Sequence, residues 1–148
     1  MPLARKPPVL VVDSSVWIDF FRGAPTPAAD ELARHMDEDD ADIIVPDLVL
    51  YEVLRGFRLE RDYRNARQLL EGFTVEAAFS PELACQAAEH YRDMVSRGFT
   101  IRSALDVMIG AFCIERDYLL LHSDRDFDVM QNLRGLRVWS APATGSTP

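Results

Sequence analysis

Asp13, Glu52, Asp106 and Asp124 are carboxylates placed where the chain is otherwise apolar. Asp13 closes the run Val9-Leu10-Val11-Val12, and Glu52 interrupts Leu48-Val49-Leu50-Tyr51-Glu52-Val53-Leu54. Asp106 opens Val107-Met108-Ile109-Gly110-Ala111-Phe112-Cys113-Ile114, and Asp124 follows Leu119-Leu120-Leu121-His122-Ser123. A partly buried carboxylate is costly unless something positive compensates it. Two that converge repel by roughly 4 kcal/mol at ~4 Å and an effective dielectric of ~20. Such a set is either partly protonated or held together by a divalent cation. Mg²⁺ and Mn²⁺ prefer carboxylate and water oxygens, so the four acids read as a cage for hard metal ions. The chemistry that suits the cage is phosphodiester hydrolysis, with the nucleophile supplied by metal-bound water and charge on the phosphate stabilised by one or two ions. Asp126, two residues beyond Asp124, could add a ligand for a second ion.

Each acid also has a plain structural alternative. Asp13 and Asp124 stand where helix caps stand, and Ser103-Ala104-Leu105-Asp106 is a relative of the capping box. Glu52 could pair with Arg55. Other catalytic chemistry lacks its residues, since the chain has no G-x-S-x-G elbow, no Cys/His nucleophile pattern and no P-loop. His35, His90 and His122 show no zinc spacing and are expected at the surface or at strand ends.

The elements that must position these acids alternate between strand and helix. Val9–Val12, Ile43–Val45, Phe73–Val75, Leu119–Leu121 and Leu136–Trp139 read as short strands. Helices are expected from Ser14, over residues 28–36, after a cap at Asp47, over 62–70, from Ser80-Pro81-Glu82 to about 96, from Ser103 to 114 or 116, and over 126–130. The alternation implies an α/β doubly wound fold, a short parallel sheet flanked by helices. In such folds sites gather beyond the carboxyl ends of the strands, where Asp13 and Asp124 fall. The expected organisation is one domain over residues 1–140 and a small, polar, disordered tail over 141–148.

At 148 residues, 48% hydrophobic and 27% charged, the chain can bury a core without disulfides. Its longest apolar runs fall short of the ~20 residues of a membrane span. Cys85 and Cys113 read as two buried thiols in a reducing cytoplasm. A net charge of −8 opposes nucleic-acid binding, although cage carboxylates contribute charge that bound metal reverses locally. Nearly all the positive charge is arginine. Arg55, Arg58, Arg61, Arg64 and Arg67 follow Glu52 at period three and are either a solvated face or a surface for phosphates and acidic partners.

Val11-Val12-Asp13-Ser14-Ser15-Val16-Trp17-Ile18 resembles the opening motif of PIN-domain nucleases, specifically the VapC toxins of VapBC type II toxin–antitoxin modules. Glu52 with Gly56, Thr100-Ile101-Arg102-Ser103 leading to Asp106, and Leu121-His122-Ser123-Asp124-Arg125-Asp126-Phe127 match in the same order. The resemblance implies a cytoplasmic, Mg²⁺-dependent endoribonuclease (Mn²⁺ may substitute, with one or two ions) that cuts transfer or ribosomal RNA. It implies Asp13 and Asp106 as principal metal ligands, Glu52 and Asp124 completing the catalytic site, and Ser15 orienting the first aspartate or the substrate. It also implies a VapB-like antitoxin and a homodimer within the complex. Two other classes are weighed against it. A receiver-like phosphorylation switch needs a late lysine, and none follows Lys6. A non-catalytic interaction domain would leave the acids at apolar boundaries without a reason.

Overall fold

The computed structural model describes residues 6–139. Four parallel strands, β1 (Val9–Val12), β2 (Asp42–Pro46), β3 (Thr74–Glu76) and β4 (Leu119–Leu121), form one sheet in the order β3-β2-β1-β4. Continuous β-branched and Leu runs suit strands covered on both faces, and Leu10, Val11, Val12, Val45 and Leu120 are fully buried. The helices are α1 (Ser14–Arg22), α2 (Pro27–Glu38), α3 (Asp47–Leu54), α4 (Glu60–Glu71), α5 (Pro81–Ser96), α6 (Ala104–Arg116) and α7 (Arg125–Arg134).

The chain steps from β1 outward to β2 and β3, then crosses back over the sheet to place β4 on the other side of β1. Crossovers between parallel strands are right-handed, so the return through α5 and α6 covers the face opposite to that of the outward connections. Accordingly α1 packs on α2 and α3, while α5, α6 and α7 pack together. Trp17 anchors the first group, with ring centroids of Phe20, Phe21 and Phe73 at 6.1, 6.0 and 5.7 Å. Phe112 and Phe127 anchor the second.

The sequence places most elements within a few residues, and the departures have physical causes. Asp47 does not cap α3: Pro46 holds the cap position without a side-chain bond. The Asp47 carboxylate instead accepts from the N–H groups of Leu48 (2.8 Å) and Ala78 (2.9 Å), tying β2 to the segment after β3. The strand expected at Leu136–Trp139 is a single bridge between Val138 and Leu120, after Gly135 ends α7 with φ 78°. His35 and His90 lie in the interior, not at the surface, because carboxylates and an arginine satisfy their ring nitrogens there. Cys113 is buried as expected but Cys85 is exposed, since it falls on the outer side of α5. The expected tail over 141–148 lies outside the described residues. Among the described residues no helix is long and apolar enough to cross a membrane.

Candidate active site

Parallel strands all end at one edge of the sheet, and the helix that feeds the next strand must begin near that edge. This places the end of β1, the start of α3, the start of α6 and the end of β4 around one crevice, at the point where the strand order reverses between β1 and β4. Asp13 follows β1 directly and caps α1, and its N–H donates to the Leu121 carbonyl of β4 at 2.9 Å. Glu52 projects from the second turn of α3 and Asp106 from the first turn of α6. Asp124 caps α7 after β4.

Asp13, Glu52 and Asp106 each offer a carboxylate oxygen within 4.8 Å of the others, and Asp106, Asp124 and Asp126 do the same. The two triads share Asp106. All five sequence-predicted acids therefore lie together, and Asp13, Ser14, Ser15, Glu52, Asp106 and Asp124 line a cleft of about 460 Å³. Asp13 and Asp106 are 2% and 9% exposed, whereas Asp124 is open to solvent. The expectation that all four are partly buried holds for three. Asp124 sits past the strand end, where the chain has already turned outward.

The capping alternatives hold at the same time. Ser103 Oγ accepts from the Asp106 N–H at 3.3 Å, and Asp124 Oδ1 accepts from the Asp126 N–H at 3.0 Å. Capping and convergence are compatible because a carboxylate has two oxygens. Glu52, however, is not paired with Arg55. Its Oε1 accepts from the hydroxyl of Ser14, a residue that the sequence marks only as a helix start. The neighbouring Ser15 hydroxyl donates to Asp13 Oδ2 at 2.6 Å. Adjacent helical side chains project ~100° apart, so two serines in succession can orient two acids on different elements. That spacing was the available signal for Ser14. Asp126 is steadied by the Arg102 N–H, 3.2 Å from its Oδ2.

The cluster's electrostatics are those of negative charge without a counterion. Burial pushes Asp106 up to about 7, with added repulsion from Asp13, Asp124, Glu52 and Asp126. Burial also raises Asp13, against hydrogen bonds from Ser15 and Ser14 and with repulsion from Glu52. Oδ1 of Asp13 is buried with no hydrogen-bond partner among the described residues. An orphaned carboxylate oxygen facing further carboxylates fits a hard divalent cation, which accepts oxygen donors and cancels their repulsion. The site is thus one that could hold a metal ion.

Comparison with known proteins agrees with this arrangement. The chain is 29% identical over 135 residues to Ribonuclease VapC11 of Mycobacterium tuberculosis, covering 89% of this chain and 98% of that protein. The figures are the same for VapC ribonuclease Mb1587 of Mycobacterium bovis. Among solved structures, VapBC2 of Rickettsia felis bound to a promoter DNA fragment superimposes with a TM-score of 0.68 at 13% identity, over 88% of this chain and 97% of that one. VapC20 of Mycobacterium tuberculosis, a sarcin-ricin loop cleaving toxin, does so with 0.60 at 16% identity, over 80% and 92%. The PIN domain family model matches residues 10–133, from the middle of β1 to the last turn of α7. With the acids held at the strand ends by that same stretch of chain, this protein belongs to the PIN-domain family.

Proposed function

We propose that this protein is a Mg²⁺-dependent endoribonuclease, the toxin of a type II toxin–antitoxin module, which cuts cellular RNA of the transfer or ribosomal class. The observation that carries the reading is the convergence of Asp13, Glu52 and Asp106 around a buried, unpartnered carboxylate oxygen. The relatives named as VapC ribonucleases support the activity, and the solved VapBC assemblies support a VapB-like antitoxin as partner. In this reading the toxin is a homodimer within that complex and meets its RNA in the cytoplasm.

Asp13 and Asp106 hold the cation, with Glu52, Asp124 and Asp126 in support. Bound there, magnesium (or manganese) supplies Lewis-acid activation of water and neutralises charge on the scissile phosphate. The protein's own work is preorganisation. Ser15 holds one oxygen of Asp13 and leaves the other free, while Ser14 holds Glu52. Both acids are thereby fixed on rigid elements before any ligand arrives. Asp106 gains from its place in the first turn of α6, where the helix dipole favours negative charge.

Purified protein should bind Mg²⁺ or Mn²⁺ in calorimetric titration and cut RNA only when one is present. An absence of cation binding at millimolar concentration, together with no cation-dependent cleavage of total RNA, would sink this assignment.

A further inference from the structure

The net charge of −8 hides an uneven distribution of arginine. Arg64 pairs with Glu60 at 3.0 Å and Arg67 with Glu71 at 2.7 Å, while Arg61 lies 3.8 Å from Asp62. The later part of the period-three series is therefore a solvated, self-compensated helix face. Arg34, Arg97, Arg116, Arg134 and Arg137 are likewise held by carboxylates. Among the described residues, Arg22, Arg55, Arg58, Arg92, Arg102 and Arg125 have no carboxylate within the 4.0 Å of an ion pair, and all six are exposed.

All of these except Arg92 line the carboxylate cleft or its adjoining groove, or flank in sequence a residue that lines it. Arg55 lines it directly, between Glu52 and Gly56. Arg22 and Arg58 line the adjoining groove, which shares Ile18 and Gly56 with the cleft. Arg102 precedes Ser103, which lines the cleft, and donates its N–H to Asp126, and Arg125 follows Asp124. Beside Arg55, one helical turn back, stands Tyr51, 62% exposed. The Arg55 guanidinium lies 5.8 Å from its ring centroid, within cation–π range. An exposed aromatic ring backed by a guanidinium, one residue from a site acid, is costly to leave in water and has no role in the core.

We infer that Tyr51 and Arg55 are substrate-positioning residues: an unpaired RNA base stacks on the open face of Tyr51, and Arg55 contacts the phosphate beside the carboxylate cleft. The inference rests on the nuclease reading above and adds how the substrate is held. Unpaired RNA is the ligand that matches both groups, because its bases can splay onto aromatic rings while its backbone follows guanidinium groups. Arg22 and Arg58 in the adjoining groove, and Arg102 and Arg125 beside Ser103 and Asp124, extend the phosphate track from Arg55. An acidic chain can thus bind RNA along a path where five of the six uncompensated arginines among the described residues gather.

The test is fluorescence anisotropy of a labelled single-stranded RNA in EDTA, where cleavage cannot occur, alongside steady-state cleavage of the same RNA in Mg²⁺. Tyr51→Ala should weaken binding roughly tenfold, the scale of one base–aromatic stack, and Tyr51→Phe should restore it. Arg55→Gln should weaken binding and flatten the slope of log K against log salt by about 0.7 for one lost single-strand phosphate contact. In cleavage both changes should raise KM far more than they lower kcat. Arg64→Gln, on the compensated face, should bind as wild type. Unchanged affinity for Tyr51→Ala and Arg55→Gln, or equal weakening by Arg64→Gln, overturns the inference while leaving cleavage by the wild type intact. The converse pattern, the expected binding losses without Mg²⁺-dependent cleavage by the wild type, overturns the nuclease reading and leaves the RNA path standing.

Discussion

Around His35, Glu31, Glu38 and Asp40 converge on the Arg34 guanidinium at 2.5, 2.6 and 2.9 Å. The His35 ring offers Nε2 to Glu31 at 3.2 Å and Nδ1 to Asp40 at 2.5 Å, and Trp139 Nε1 donates to Glu31 at 2.9 Å. At the strand ends, Asp13, Glu52 and Asp106 converge with no ion pair among the described residues, and serine hydroxyls and a backbone N–H are what bond the carboxylates of Asp13 and Glu52. The two clusters are shifted in opposite senses. Arg34 holds Glu31 below the usual carboxylate range, and His35 holds Asp40 there. Burial and mutual repulsion push Asp13 and Asp106 above it. Carboxylates supplied with cations of their own fasten α2 to Trp139. Carboxylates without them are destabilised in isolation and keep their affinity for something brought from outside.

Substitutions separate the two kinds of cluster. The largest effect should come from Asp106→Asn, which removes the ligand common to both triads and should reduce cleavage on the order of a thousandfold, the equivalent of about 4 kcal/mol. Cleavage at the wild-type rate with carry-over metal excluded would remove Asp106 from the site. Next, His35→Ala should cost about 3 kcal/mol in urea denaturation, because it empties the place of a buried ring packed against Trp139 and removes its bonds to Glu31 and Asp40, which keep Arg34. Asp13→Asn should instead leave the metal-free protein as stable as the wild type or more so, since it relieves repulsion. A similar loss for both variants would erase the contrast drawn here.

The smallest effect is in pH. Asp13 and Asp106 have folded-state pKa values above their unfolded ones, so the folded chain holds protons that the unfolded chain releases. Their contribution to stability is complete below the ordinary carboxylate range and is lost as pH rises through about 7. In EDTA the melting temperature should therefore fall between about pH 5 and 8, and saturating Mg²⁺ should flatten the fall. Glu31 and Asp40 behave oppositely: their contribution is present above the ordinary range and disappears only in acid. A metal-free protein whose melting temperature rises across that window would contradict the assignment of an uncompensated cage.

The cage was legible in sequence for the same reason that it is uncompensated. A charged residue ending an apolar run stands out, and the α/β alternation says that strand ends share a crevice. The His35 cluster was not legible. His35 looks like any polar residue of a helix, and Trp139, which covers it, contacts Glu31 from 108 positions away. Ser14 was visible as a residue but not as a partner, because its acceptor lies on α3 and only the packing of α1 on α3 brings them together. The last strand was read from β-branched and aromatic content alone, which says nothing about whether a neighbouring strand has length left to pair. The arginine series is ambiguous at period three, and the local acids Glu60 and Glu71 decide its later members Arg64 and Arg67.

The bond from the Asp13 N–H to the Leu121 carbonyl joins the first strand made to the last. Asp13 leaves the ribosome before its neighbour in the sheet and before the acids Asp106 and Asp124. Long-range parallel pairing cannot form before both partners exist, and it is a slow kind of contact. A nascent or truncated chain lacking β4 therefore holds Asp13 without its strand neighbour and without Asp124. The order of the strands acts as a timer that keeps the site incomplete until β4 and Asp124 have been made.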